Sequence, residues 1–467
     1  MHKSLKPFFD PASVAIVGAS ERTTSSGGAV LRNMQIAGYK GTLIPVNPKG
    51  GEILGLPVRK SLKELESPAE LVVVVVAQAA ILDVVREGAQ NGHKNFLVLP
   101  GGFIEAGEEG RKRDAELRAI AKEHGAVIAG PNCAGIINVF DRSSPCAPTF
   151  LRDLPKGGGV ALLSQSGAIA EEVIEKSHRL DIPLGAVVSI GNAMHLHIDD
   201  YFAQLADDPR CTSVLIYLES IEDPARFERQ ARKLAAKKPL VALVGGRTEP
   251  GSRASRAHTG GAAWSDDQIE RFCNACGMVR VTSLRQLMLA GKGFGRYPQG
   301  FGRRVLLLSN SGGPGVIATD AAAKAELELP LLPEALAARL RKFLPPEASV
   351  ANPLDLLADA REERYGETFQ AVLDVAAEAY DAILMIHVVP FMVDASPVIE
   401  RLAQLAPRAK IPLFHSMMGT LEQRDAWFAK MESSGVPMFN DVEEMAGTAG
   451  LLARYPAIRR ALSERVS

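Results

Sequence analysis

A chain of 467 residues exceeds what one hydrophobic core supports, so two to four domains are expected. With 46% apolar and 23% charged residues it reads as globular, and a formal net charge of -1 offers nucleic acid no basic face. Five scattered cysteines argue against a disulfide framework and for a reducing compartment; no signal peptide or membrane span is visible, so a cytoplasmic protein with no membrane contact is expected.

In chain order, the first strong signal is "VAIVGAS" from Val14, a β-branched run stopping at a Gly/Ser cluster before a helix-like pattern. Further strands are predicted at 42–47, 70–77, 95–102 and 126–132, with a helix over 108–124. The run from Leu71 to Ala77 is far too short for a bilayer and reads as a strand buried on both faces. The same grammar restarts at "VALLSQSGAIAEEVIE" from Val160, with strands at 185–192, 213–220 and 240–246, and again at "VLLLSNSGGPGVIATDA" from Val305, with strands at 381–390, 411–417 and 436–440. Strand, crossover and strand of this kind require parallel pairing with helices on both faces, so the fold class is α/β with three doubly wound domains. Pro/Gly/Ser-rich joints at 143–159 and 295–304 set the expected boundaries at 1–145, 150–298 and 303–467.

In such sheets ligands gather at the carboxyl ends of strands, where turn amides and helix N-termini face an anion. The first turn, Gly18, Ala19 and Ser20 with Gly27 and Gly28 at the helix start, departs from GxGxxG, and Lys49 stands where a dinucleotide ribose would want an acid. A lysine there suits an extra phosphate, or is simply a solvated loop side chain. The second turn, Ser164, Gln165, Ser166 and Gly167, places hydroxyls and amides at the start of a helix over 167–178; serine there is equally an ordinary N-cap.

The segment "GSRASRAHTGGAAWSD" from Gly251 carries His258 among small residues and reads as an exposed, mobile loop. Nearby, Cys273 and Cys276 form a CxxC with no second pair, which predicts a shared buried helix face and no metal site.

That segment, with "VAIVGAS", "PVNPK", "GPNCAG" (130–135), "LLSQSGA", "SIGN" (189–192), "YLESIED" (217–223), "SNSGGPGV" and "NPLDL" (352–356), resembles the ADP-forming acyl-CoA synthetases, relatives of succinyl-CoA synthetase, in order and spacing over nearly the whole chain. The resemblance implies an N-terminal Rossmann-like domain that binds coenzyme A, followed by two flavodoxin-like ligase domains. It implies that His258 is phosphorylated in turnover and that Glu219 orients its imidazole. It also implies phosphate binding at Ser164, Gln165, Ser166 and Gly167, and CoA contacts at Gly18, Ala19, Ser20, Lys49, Val76, Ala77, Asn132 and Cys133. Phe103, Asn132 and Cys133 are candidates for the thiol end. The implied reaction interconverts acyl-CoA, ADP and phosphate with a carboxylic acid, CoA and ATP through acyl phosphate and phosphohistidine.

No GxxxxGK[ST] occurs in the chain. The family's nucleotide site lies in an ATP-grasp domain, so the resemblance is to an α subunit alone, with ATP or ADP and Mg²⁺ on a separate β subunit in an α2β2 assembly. Two departures stand out: His195, followed by His197, where relatives carry Asp, and Trp264 where a glycine is common. A catalytically inactive CoA-binding or regulatory protein and a nucleotide-cofactor dehydrogenase are the alternatives; the poor fingerprint and Lys49 weigh against the second.

Overall fold

The structure, a computed structural model, describes residues 4–259, 264–391 and 393–464, and the side chains of all of these except 256–259. It divides into two compact units, Met1–Gly291 and Lys292–Ser467.

The first unit holds two sheets. One comprises β1 (Ser13–Val17), β2 (Thr42–Val46), β3 (Leu71–Val74), β4 (Asn95–Val98) and β5 (Val127–Ala129), all parallel, in the order 2-1-3-4-5. The valine run of β3 is buried throughout because helices cover both faces of its sheet, which is why it reads as continuous apolar sequence. After β1 comes helix α1 (Ser26–Ala37), whose N-cap Ser25 accepts from the Gly28 N–H; α2 (Gly107–His124) lies between β4 and β5.

The second sheet comprises β6 (Ile136–Asn138), β7 (Val160–Ser164), β8 (Leu184–Ser189), β9 (Ser213–Leu218), β10 (Leu240–Val244) and β11 (Val279–Val281), in the order 11-10-9-7-8-6. Its five parallel strands repeat the order of the first sheet, and β6 adds to its edge antiparallel to β8. The connecting helices are α3 (Gly167–Leu180), α4 (Asp200–Asp207), α5 (Pro224–Ala235), α6 (Glu249–Thr259) and α7 (Asp266–Cys276).

In the second unit β12 (Val305–Ser309), β13 (Ser349–Val350), β14 (Leu354–Asp355), β15 (Ala382–Val389), β16 (Leu413–Gly419) and β17 (Met438–Phe439) follow the order 13-14-12-15-16-17. All pairs but β13 with β14 are parallel. His387 and His415, on the adjacent strands β15 and β16, stack with ring planes 2° apart and centroids 6.2 Å apart. Both rings are buried, and neither Nδ1 of His387 nor either nitrogen of His415 has a hydrogen-bond partner among the described residues.

The expected strands and the helices over 108–124 and 167–178 form within a few residues of their predicted ends. Four short elements escaped the reading, namely β6, β11, the β13–β14 edge and a ribbon of Glu52–Ile53 with Leu56–Pro57, because two or three residues carry no periodicity. The loop reading of the His258 segment needs correction, since its backbone continues α6 to Thr259. Thr248 starts that helix, its hydroxyl accepting from the Gly251 N–H at 3.2 Å, and an Arg253–Glu249 pair at 2.8 Å spans its first turn. Cys273 and Cys276 share the buried face of α7, and all five cysteines are buried and unpaired. Among the described residues no helix is long and apolar enough to cross a membrane.

Candidate functional site

A cavity of about 1210 Å³ opens in the first unit along the carboxyl ends of β1, β3 and β4 and of β7. In the 2-1-3-4-5 order, the direction in which strands are added reverses between β1 and β3, where a crevice opens. The turn after β1 is compressed: a Cβ on Gly18, which has φ +98, would come 2.4 Å from the Val75 carbonyl oxygen, and one on Gly27 would come 1.9 Å from that of Gly18. Only glycine lets these backbones approach so closely and still present the start of α1 to a ligand.

Gly18, Ser20, Lys49 and Val76 line the cavity, together with Arg22 and Asn47, which the sequence reading did not select. Ala19 is buried behind the wall, where its carbonyl accepts from Asn47 Nδ2 at 2.9 Å, and exposed Ala77 is not among the lining residues. Asn132 and Cys133 line the opposite end with Gly101 and Ala134. Phe103 is wholly buried and does not line it. Burial pushes the Cys133 thiol up to about 12, so at neutral pH it is an uncharged wall.

The second-sheet turn meets this far end. Gln165, Ser166 and Gly167 line the cavity, whereas Ser164 is buried. Both hydroxyls do structural work: Ser164 Oγ donates to the Ser166 carbonyl at 2.7 Å and accepts its N–H at 3.1 Å, while Ser166 Oγ caps α3 through the Ile169 N–H at 3.3 Å. What the turn leaves for an anion is therefore the first backbone N–H groups of α3.

The Gln165 side-chain amide is committed to the loop after β9. Its Oε1 accepts from the Glu219 N–H at 2.5 Å and the Ser220 N–H at 3.1 Å, and its Nε2 donates to the Ser220 carbonyl at 2.8 Å. Glu219, just beyond β9, is thus fastened to the turn by the side chain of its central residue. Tyr217 is pushed up to about 12, first by burial and then by the Glu219 carboxylate, which also accepts a hydrogen bond from it. Ser255 on α6 donates to the Glu219 carbonyl at 3.2 Å, so the helix carrying His258 docks against the same loop. The side chain of His258 itself lies outside the described residues. Trp264 packs edge-on against Phe272 of α7, with centroids 4.8 Å apart, and helps line a small cavity beside Glu219.

The "SIGN" loop after β8 ties the two sheets together. Ser189 Oγ accepts from the Ala134 N–H at 2.9 Å, and Asn192 Nδ2 donates to Glu105 at 2.5 Å. Burial pushes Glu105 up, but the Gly102 N–H, the Asn192 amide and the Phe103 N–H outweigh it and hold its carboxyl below the usual range. His195 Nδ1 accepts from the Ile128 N–H at 3.3 Å, and His197 pairs with Glu222 at 3.4 Å. Glu105 tethers one sheet to the other and Gln165 tethers neighbouring strand ends within one sheet, pairings far apart in the chain and invisible in local sequence. No group of three or more His, Cys, Asp or Glu among the described residues has metal-holding geometry.

Three family models match the chain in succession: a CoA binding domain over residues 12–139, a succinyl-CoA ligase like flavodoxin domain over 157–294 and a ligase-CoA domain over 305–462. The α subunit of acetate–CoA ligase (ADP-forming) II from Pyrococcus furiosus is 33% identical over 96% of this chain and 97% of its own length. Acetate–CoA ligase (ADP-forming) I of Archaeoglobus fulgidus is 32% identical over 97% of this chain, which spans 64% of that longer protein. Acetyl-coenzyme A synthetase 1 of Ca. Korarchaeum cryptofilum, solved with phosphate and ADP, superposes with a TM-score of 0.92 at 27% identity over 99% of both chains. With its three α/β sheets and its CoA-sized cavity, the chain belongs to the ADP-forming acyl-CoA synthetases of the succinyl-CoA synthetase superfamily, as an α subunit.

Proposed function

We propose that the cavity holds CoA with its phosphates toward Arg22, Lys49 and the β1 turn and its thioester at the start of α3, and that His258 relays a phosphoryl group from there to a nucleotide. A cavity of 1210 Å³ is large enough for such a ligand, its two cations lie toward the β1 turn, and the opposite end offers uncommitted helix N–H groups. The single observation that carries the reading is the Gln165 tether, which joins Glu219 to that anion-facing turn.

In the first step a phosphate oxygen attacks the thioester carbonyl, the C–S bond breaks, and the phosphate's proton ends on the CoA sulfur. The N–H groups at the start of α3 oppose the negative charge that develops on phosphate and carbonyl oxygen. An imidazole nitrogen of His258 then attacks phosphorus, and the bond to the acyl oxygen breaks to release the carboxylate. Imidazole has an ordinary pKa near ~6.5, so a neutral nitrogen is available at neutral pH, and Glu219 on the other nitrogen would fix the tautomer and balance the charge that appears. Transfer to the β-phosphate of ADP breaks the P–N bond and restores the neutral ring. Synthesis of the thioester reverses these steps.

The nucleotide and Mg²⁺ are assigned to a separate ATP-grasp β subunit in an α2β2 assembly, the metal screening phosphate charge there. Five buried, unpaired cysteines suit a cytoplasmic setting. The test is incubation of the full chain with an acyl-CoA panel and labelled orthophosphate. Alkali-stable, acid-labile label is expected on wild type and not on His258→Ala; equal labelling of both, or no label with any acyl group with or without a partner, ends the reading.

A further inference from the structure

The Pro-rich segment between β6 and β7 does more than connect them. Its residue Thr149 is wholly buried, and Thr149 Oγ1 donates to the Ala134 carbonyl at 2.6 Å and accepts from the Leu151 N–H at 3.1 Å. Buried Asn33 on α1 donates to the carbonyls of both Thr149 and Leu151, at 2.7 and 2.8 Å. Between these pinned neighbours Phe150 is 38% exposed, one of few large apolar side chains left so open, and its exposed surface lines the main cavity.

The place of that ring along the cavity is fixed by a chain of contacts. A Cβ on Gly167, at the start of α3, would meet Ala134 Cβ at 3.3 Å, so the turn and Ala134 are in contact. Ala134 carries Thr149 on its carbonyl, and Phe150 follows directly. Phe150 therefore lines the cavity beside Ala134, which touches the start of α3. The charged side chain that this helix adds to the cavity is Glu171, one turn beyond Gly167, and among the described residues no lysine or arginine other than Arg22 and Lys49 lines it.

We propose that Phe150 is a specificity-determining residue: its ring is the surface against which the acyl group packs, and it favours the thioester of a monocarboxylic acid with an apolar body. Covering an exposed aromatic face with apolar acyl carbon removes both from water. A second carboxylate on the acyl group would face the like charge of Glu171, which disfavours dicarboxylates. The rigid backbone on either side means that the ring is presented by the fold and not by a loose linker.

This inference rests on the reading of the cavity as a CoA site, and the experiment separates the two. CoA, acetyl-CoA, phenylacetyl-CoA and succinyl-CoA are titrated calorimetrically into the full-length wild type, Phe150→Ala and Phe150→Tyr. Wild type is expected to bind phenylacetyl-CoA more tightly than acetyl-CoA, with succinyl-CoA the weakest thioester. Phe150→Ala should lose about tenfold for phenylacetyl-CoA while holding CoA as before, and Phe150→Tyr should keep the preference. Unchanged CoA binding with an unchanged ratio of phenylacetyl to acetyl affinity in Phe150→Ala overturns the role of Phe150 and leaves the CoA site standing. No CoA binding to wild type overturns the cavity reading and this inference with it.

Discussion

Gln165 accepts the backbone N–H of Glu219 at 2.5 Å, so the residue at the centre of the turn proposed to bind phosphate also sets the position of the carboxylate proposed to orient His258. Three hydrogen bonds from one amide hold the Glu219–Ser220 backbone, which makes the turn and the acid one mechanical piece. Removing that amide should therefore uncouple them. Gln165→Ala is predicted to lower the rate of His258 phosphorylation by about 10- to 100-fold, the scale of one or two lost buried hydrogen bonds, with CoA affinity nearly unchanged. Rapid-quench labelling beside calorimetric CoA titration checks both halves.

Arg22 and Lys49 are the cations of the cavity. Replacing either by Ala is predicted to weaken CoA binding by about tenfold at low salt, and the difference from wild type should shrink as ionic strength rises. Titrations at two salt concentrations measure this. A loss independent of salt would assign them a packing role instead.

Cys133 lines the part of the cavity proposed to hold the thioester, yet burial raises its thiol to about 12. It is predicted to resist alkylation at pH 8, and Cys133→Ala should keep phosphorylation within about threefold, since no thiolate chemistry passes through it. Mass spectrometry after iodoacetamide and the labelling assay test the two statements.

The stacked histidines of the second unit predict an acid-sensitive fold. Burial pushes His387 down to about 4; His415 is driven well below its ordinary value, first by burial and then by His387. Because the folded values are depressed, the unfolded chain binds more protons below pH ~6.5, and stability falls as pH drops from there toward 4. Thermal melts of the full chain across that range should show the decline, and His387→Phe should flatten it. A melting temperature that rises on acidification would contradict the assignment.

The sheet starts were legible because strands buried on both faces appear as unbroken Val and Leu runs, as in Leu71–Val74 and Val160–Ser164. The anion-facing turn was legible from Ser-Gln-Ser-Gly, but its division of labour was not. Both serine hydroxyls serve the turn, and the glutamine works across 54 residues of sequence. Glu105 meets Asn192 over 87 residues, a separation that no local pattern records. Phe150 sits in a segment that reads as linker, and only its pinned neighbours reveal it as wall. In the His258 segment the glycines point to a loop, but the Thr248 cap and the Glu249–Arg253 pair start a helix that continues to Thr259.

The most direct measurement is peptide mass spectrometry under alkaline conditions after treating the full chain with acetyl phosphate, which bypasses the thioester step. One added phosphoryl group on the peptide containing His258, much reduced in Glu219→Gln and in Gln165→Ala, is the predicted result. Phosphoryl transfer to some other residue, or to His258 at the same rate without Glu219, would contradict the relay.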